Sequence, residues 1–281
     1  MPQFSRPVPR PRVRRRRVLA SLAAFLTVTG LAVPAVGAGR TAATGQHRSK
    51  PTIVLVHGAF ADASGWNDVT ERLQDRGYTV LAPANPLRGV VDDTDYIRSV
   101  LDSIDGPIVL VGHSYGGFVM THAAEGDPDV RALVYVAAFA PAEGETIEAL
   151  TALNPGGALT DPDNLVIRQT PTGTDGYIAP SAFREVFAAD LPRDRAAVMA
   201  ASQRPADLAT LTDPSGPPAW DDIPSWFVVA TQDHTIPPAT QRFMAERAGA
   251  RTVEVRSSHV AMTSKPRPVT DVIIEAATTT G

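Results

Sequence analysis

No cysteine occurs anywhere in the 281 residues. That absence excludes a disulfide-stapled scaffold, a Cys-ligated zinc or iron–sulfur site, a thiol nucleophile and a lipid-anchored lipoprotein. Residues 1–38 also lack Lys, Asp and Glu, yet hold seven arginines: Arg6, Arg10, Arg12 and Arg14 to Arg17. With those set aside, the formal net charge of −4 becomes −11. An acidic body of this kind argues against a nucleic-acid partner. No internal repeat is visible, and the 43% hydrophobic and 20% charged content is that of a globular chain.

The basic N-terminal stretch runs into an apolar stretch at 18–33 and then small residues at 34–38. This order predicts a cleaved export signal at 1–38, followed by a linker at 39–50 and a folded body at 51–281. Arg15, Arg16 and Arg17 before Val18 and Leu19 resemble a twin-arginine signal, although a general secretory signal has much the same form. The apolar stretch is shorter than the roughly 20 residues that span a bilayer, so release is expected and no stable membrane anchor.

From Lys50 onward, short apolar runs alternate with amphipathic segments. Strands are predicted at 51–56, 78–82, 107–111, 132–138, 225–231 and 251–255, with helices at 66–76, 93–104, 115–125, 239–248 and 269–277. Strand followed by helix, several times over, implies a parallel sheet wound by helices. The rhythm breaks at 141–223, where ten prolines fall and no strand-like alternation is visible. A helical cap is expected there, with short helices at 145–153, 181–190 and 193–203.

Gly112-His113-Ser114-Tyr115-Gly116 follows one of these strands and precedes a helix, the context of a nucleophile elbow. A serine hydroxyl needs a base, and the base an orienting acid. Of six histidines, His47 falls in the linker, and His57 and His113 sit at strand ends. His122 is two helical turns beyond Ser114, about 12 Å away. His234 neighbours the best acid and is expected to shape its loop. That leaves His259, after the last strand, as base. Asp233 follows the strand ending near Thr231, at the carboxyl end where open α/β sheets bind ligands. Asp221 and Asp222 precede that strand, and Asp207 and Asp213 fall in the cap. The oxyanion donors expected are the backbone N–H of Tyr115 and that of Ala59, with Phe60 as the alternative to Ala59.

These residues resemble the α/β-hydrolase superfamily and, within it, the methylesterase and hydroxynitrile lyase branch. The likeness rests on 54–59 with Trp66, on 111–117, on 230–233, and on Ser258 and His259. It implies Ser114 as nucleophile, His259 as base, Asp233 as acid, Ala59 and Tyr115 as oxyanion donors, and a cap that forms the pocket. With only about a dozen residues between Ala38 and the first strand, two leading strands of larger members are missing, and about six remain expected. The plant lyases of the branch carry Thr where Gly58 stands and Lys where Val260 stands, and that lysine holds the departing cyanide. Hydrolysis of small to medium, largely uncharged carboxylic esters is therefore expected, with no metal or organic cofactor. A lyase or lactonase on the same triad and a non-catalytic ligand-binding member are the alternatives. Candidate pocket-wall residues are Phe60, Tyr115, Phe183, Phe187, Leu191 and Met199, with Phe187 and Met199 favoured as packing instead. The loop 85–89 is a further candidate for the site's edge.

Overall fold

The computed structural model describes residues 50–171 and 173–280. The expected export segment and nearly all of the expected linker lie outside the described residues. Strands β1 (Thr52–Val56), β2 (Val80–Leu81), β3 (Ile108–His113) and β4 (Val130–Val136) carry the first half of the sheet. Helices α1 (Asn67–Asp75), α2 (Val90–Leu101) and α3 (Tyr115–Ala123) fall between them. Every residue of β3 is buried, as is all of β1 beyond Thr52, because helices cover both faces of the sheet. This is why these strands read as continuous apolar runs instead of alternating ones.

After β4 the chain leaves the sheet to build the cap. It contains α4 (Ile147–Ala152), β5 (Leu165–Thr170), β6 (Gly173–Ile178), α5 (Phe183–Phe187), α6 (Arg193–Ser202), β7 (Ala206–Asp207) and α7 (Ala209–Thr212). The three expected helices are present, but the expectation of a purely helical cap needs correction: β5, β6 and β7 form an antiparallel sheet in that order. Gly173 and Gly176 interrupt the alternation in β6, and the two-residue β7 exists only through its pairing with β6. The outgoing and returning chains are laced together. Gly144 N–H donates to the Ser215 carbonyl at 2.8 Å, Ser215 N–H to the Glu145 carbonyl at 2.8 Å, and the Trp220 indole to the Pro141 carbonyl at 2.9 Å.

The chain returns through β8 (Ser225–Ala230), α8 (Pro238–Arg247), β9 (Arg251–Val255), α9 (Ala261–Ser264) and α10 (Pro266–Thr280). The main sheet has six strands, all parallel, in the order β2-β1-β3-β4-β8-β9. Its exposed edge strand β9 carries Arg251 and Glu254, the kind of charged edge that resists pairing with another chain. Strand order reverses between β1 and β3, so the loops leaving their carboxyl ends diverge and open a crevice. Helix α10 buries Val269, Val272, Ile273 and Ala276 at helical spacing. No helix among the described residues is long and apolar enough to cross a membrane.

Candidate active site

Ser114 stands between β3 and α3 with φ 53° and ψ −125°, a conformation few non-glycine residues adopt. It is held there by close packing. A Cβ on Gly112 would lie 2.7 Å from the Gly116 carbonyl carbon, one on Gly116 would strike the Val56 carbonyl oxygen, and one on Gly117 would lie 2.6 Å from the Phe139 carbonyl oxygen. The Ser114 carbonyl accepts from Gly117 N–H at 3.0 Å and Phe139 N–H at 3.1 Å. These glycines are therefore required by contact with the start of α3 for Gly112, with β1 for Gly116 and with the chain leaving β4 for Gly117.

The structure brings Asp233 and His259 together. His259 Nδ1–H donates to Asp233 Oδ2 at 2.7 Å, and both side chains are fully buried. Asp233 Oδ1 accepts from the N–H groups of Thr235 and Ile236 at 2.7 and 3.0 Å, and Oδ2 accepts from Gln241 Nε2 at 2.8 Å. With Nδ1 donating, Nε2 is the acceptor of the neutral ring. It is buried and has no hydrogen-bond partner among the described residues. The rings of His113 and Phe187 hold the imidazole with centroids 4.6 and 4.9 Å away. His113 Nε2–H donates to the His259 carbonyl at 3.0 Å, fixing the backbone as well. Burial, reinforced by the neighbouring His259, pushes the His113 pKa well below its ordinary value, so His113 is a neutral prop.

The loop after β1 closes against Ser114. A Cβ on Gly58 would lie 2.6 Å from Ser114 Cβ and 3.2 Å from its Oγ. His57 anchors this loop: Nδ1–H donates to the Gly58 carbonyl at 2.9 Å, and Nε2 accepts from Asn85 N–H at 3.0 Å. As the first residue of α3, Tyr115 has an N–H with no intrahelical acceptor, and the helix dipole adds positive potential there. Its hydroxyl donates to buried Asp93 Oδ2 at 2.7 Å, and Asp93 Oδ1 accepts from Arg88 N–H at 3.0 Å.

Ser114, Ala59, Phe60 and Tyr115 line a cavity of about 510 Å³ beneath the cap. Its apolar wall comes from Ile147, Leu159, Leu165, Leu208 and Leu211, together with Phe139. Phe183, Phe187 and Leu191 do not reach it. They are buried between cap and sheet, and Met199 lines a different pocket. The loop 85–89 does not edge the cavity either. It ties the cap down, through an Arg88–Asp175 ion pair at 2.8 Å and Asp207 N–H donating to the Leu87 carbonyl at 2.9 Å. His234 bonds the Glu185 carbonyl at 3.0 Å, joining the acid loop to α5. The sequence offered no signal for Gln241 or Asp93, whose partners are distant in the chain, nor for the wall leucines, which look like any core residue.

Residues 53–272 match the model of the alpha/beta hydrolase family. The chain is 28% identical over 264 residues to esterase PIR7B of Oryza sativa subsp. japonica, covering 82% of this chain and 96% of that protein. It is 30% identical over 256 residues to a pyrethroid hydrolase of Sphingobium wenxiniae, covering 80% and 87%. The crystal structure of a pyrethroid hydrolase from Sphingobium faniae JZ-2 superposes with a TM-score of 0.66 at 25% identity, covering 81% of this chain and 97% of that one. The chain belongs to the alpha/beta hydrolase family, in the branch of methylesterases and hydroxynitrile lyases that its motifs resemble.

Proposed function

We propose that the protein is an exported carboxylic ester hydrolase acting through an acyl-enzyme on Ser114. The observation that carries this reading is the buried Asp233–His259 pair, with an unpartnered Nε2, set at the same sheet end as the strained Ser114 elbow. His259 Nε2 takes the Ser114 proton as Oγ adds to the ester carbonyl. Ala59 or Phe60 N–H, together with Tyr115 N–H, receives the oxyanion. The carbon–oxygen bond to the alcohol then breaks, and Nε2–H delivers its proton to the leaving oxygen. Water next gives a proton to Nε2 while its oxygen adds to the acyl carbon, and collapse frees the acid and Ser114.

Relatives bearing the names esterase and pyrethroid hydrolase support ester hydrolysis. The apolar wall favours largely uncharged substrates of small to medium size. Cyanohydrin cleavage is disfavoured because none of the residues lining the Ser114 cavity is Lys or Arg, and buried Val260 follows the base. Export rests on the Arg-rich and apolar order of residues 1–38. Turnover of p-nitrophenyl esters should vanish in Ser114→Ala and in His259→Ala while the thermal midpoint persists. Full activity in Ser114→Ala refutes the mechanism.

A further inference from the structure

A second pocket, of about 230 Å³, lies under the cap helix α6, lined by Met199, Val198, Val260 and Met262 with Asp62 and Arg195 among its polar residues. It does not include Ser114. Phe60 is the single residue common to its wall and to that of the Ser114 cavity. Phe60 has φ 60°, unusual for an aromatic residue, and is 8% exposed. We infer that this smaller pocket receives the alcohol half of the ester and that Phe60 is the partition setting how large that half can be.

The inference rests on the ester hydrolase reading, because the direction comes from the proton. His259 Nε2 must hand its proton to the alkoxy oxygen, so the alcohol half leaves on the His259 side. Phe187 already covers one part of that ring, at 4.9 Å between centroids. Val260, the next residue, lines the smaller pocket, whereas nothing from 259–263 lines the larger cavity. The acyl half then occupies the large apolar chamber beneath α4 and α7. Val198, 69% exposed, marks an opening of the smaller pocket to solvent. Through it the alcohol can depart while the acyl group stays on Ser114. At about 230 Å³ the pocket exceeds the roughly 150 Å³ that takes up benzene, so a benzyl-sized alcohol fits it by volume once the partition yields.

The test holds the acyl group constant as acetate and compares kcat/KM for benzyl and methyl esters. Phe60→Ala should raise the benzyl-to-methyl ratio about tenfold or more, the scale on which pocket size discriminates substrates. Adding Met199→Trp, which refills the smaller pocket, should return the ratio toward the wild-type value. Phe60→Leu is the milder substitution if Phe60→Ala does not fold, with a smaller rise in the same direction. A ratio within twofold of wild type in the Phe60 variant, or a gain that survives Met199→Trp, overturns the inference. Wild-type protein that cleaves no ester and is not labelled by a fluorophosphonate overturns the hydrolase reading and this inference with it. Ordinary turnover with an unmoved ratio overturns this inference alone.

Discussion

Replacing Gly58 by alanine adds one methyl group where the first loop packs directly on Ser114. The new Cβ would stand 2.6 Å from Ser114 Cβ and 2.8 Å from the His113 carbonyl oxygen. Ordinary contact begins at 3.4 Å, so one side must retreat by about 0.8 Å, and neither is a free end. Ser114 is held in a left-handed conformation by three glycines packed behind it, and the loop of Gly58 is pinned by His57 and Asn85. Overpacking of this kind costs about 1–3 kcal/mol, or about 2–10 °C in the unfolding midpoint of a domain this size. The catalytic loss should be larger in proportion. A displacement near 1 Å of a reacting group lowers turnover on the order of a hundredfold. Calorimetry or circular dichroism gives the midpoint, and initial rates with p-nitrophenyl acetate give kcat/KM. A Gly58→Ala protein with wild-type rate and midpoint refutes the close approach of the first loop to Ser114, and with it the proposal that this loop supplies an oxyanion donor.

Asp233→Asn puts an amide where four donors converge, those of Thr235, Ile236, Gln241 and His259. Its NH2 group faces a donor whichever way it turns, so His259 is driven to the wrong tautomer, and kcat should fall about 10⁴-fold with the fold retained; a loss below tenfold in steady-state assays counts against Asp233 as the orienting acid. Burial, with Arg98 nearby, pushes the His122 pKa down to about 4. Because the folded value lies below the unfolded one of 6.5, the unfolded chain binds the extra proton, so stability is full above pH 6.5 and is lost as pH falls toward 4. The loss across that window is about 3 kcal/mol, with His57 and His113 adding in the same direction. Urea unfolding at pH 4 to 8 should show a shallower acid slope in His122→Phe than in wild type, and identical slopes refute the assignment.

The parallel sheet was legible because its strands are buried on both faces: 53–56 and 108–111 can hardly be anything else. The elbow was legible because glycine is forced at 112, 116 and 117 by contact, and contact demands leave a signature in sequence. The positions of His259 and Asp233 followed from strand order, since each comes just after a strand's carboxyl end. What escaped depends on pairing across long distances. Ala206 and Asp207 become a strand only because Gly176 and Asp175 lie beside them. Gln241 is one polar residue on a helix until the chain folds its amide against Asp233. The cap wall escaped for a different reason. Phe183 is large and apolar, as a pocket lining would be, but it packs beside Phe187, whose packing role was expected, while leucines face the cavity.

The lacing of Gly144, Glu145 and Ser215 has a consequence for how this enzyme can diversify. Consecutive parallel strands cannot be joined by a hairpin, so some chain must travel from the end of β4 back to the start of β8. Residues 215–224 make that journey, and Trp220 fastens it to the outgoing chain at Pro141. Everything between 146 and 214 hangs from two backbone segments lying side by side. The pocket wall of Ile147, Leu159, Leu165, Leu208 and Leu211 falls wholly inside that span. Ser114, Asp233 and His259 fall wholly outside it. The cap wall of the large cavity and the Ser114, Asp233 and His259 positions are thus written in separable stretches of chain, and a new cap wall can be grafted at the Gly144 and Ser215 joint without rethreading the sheet.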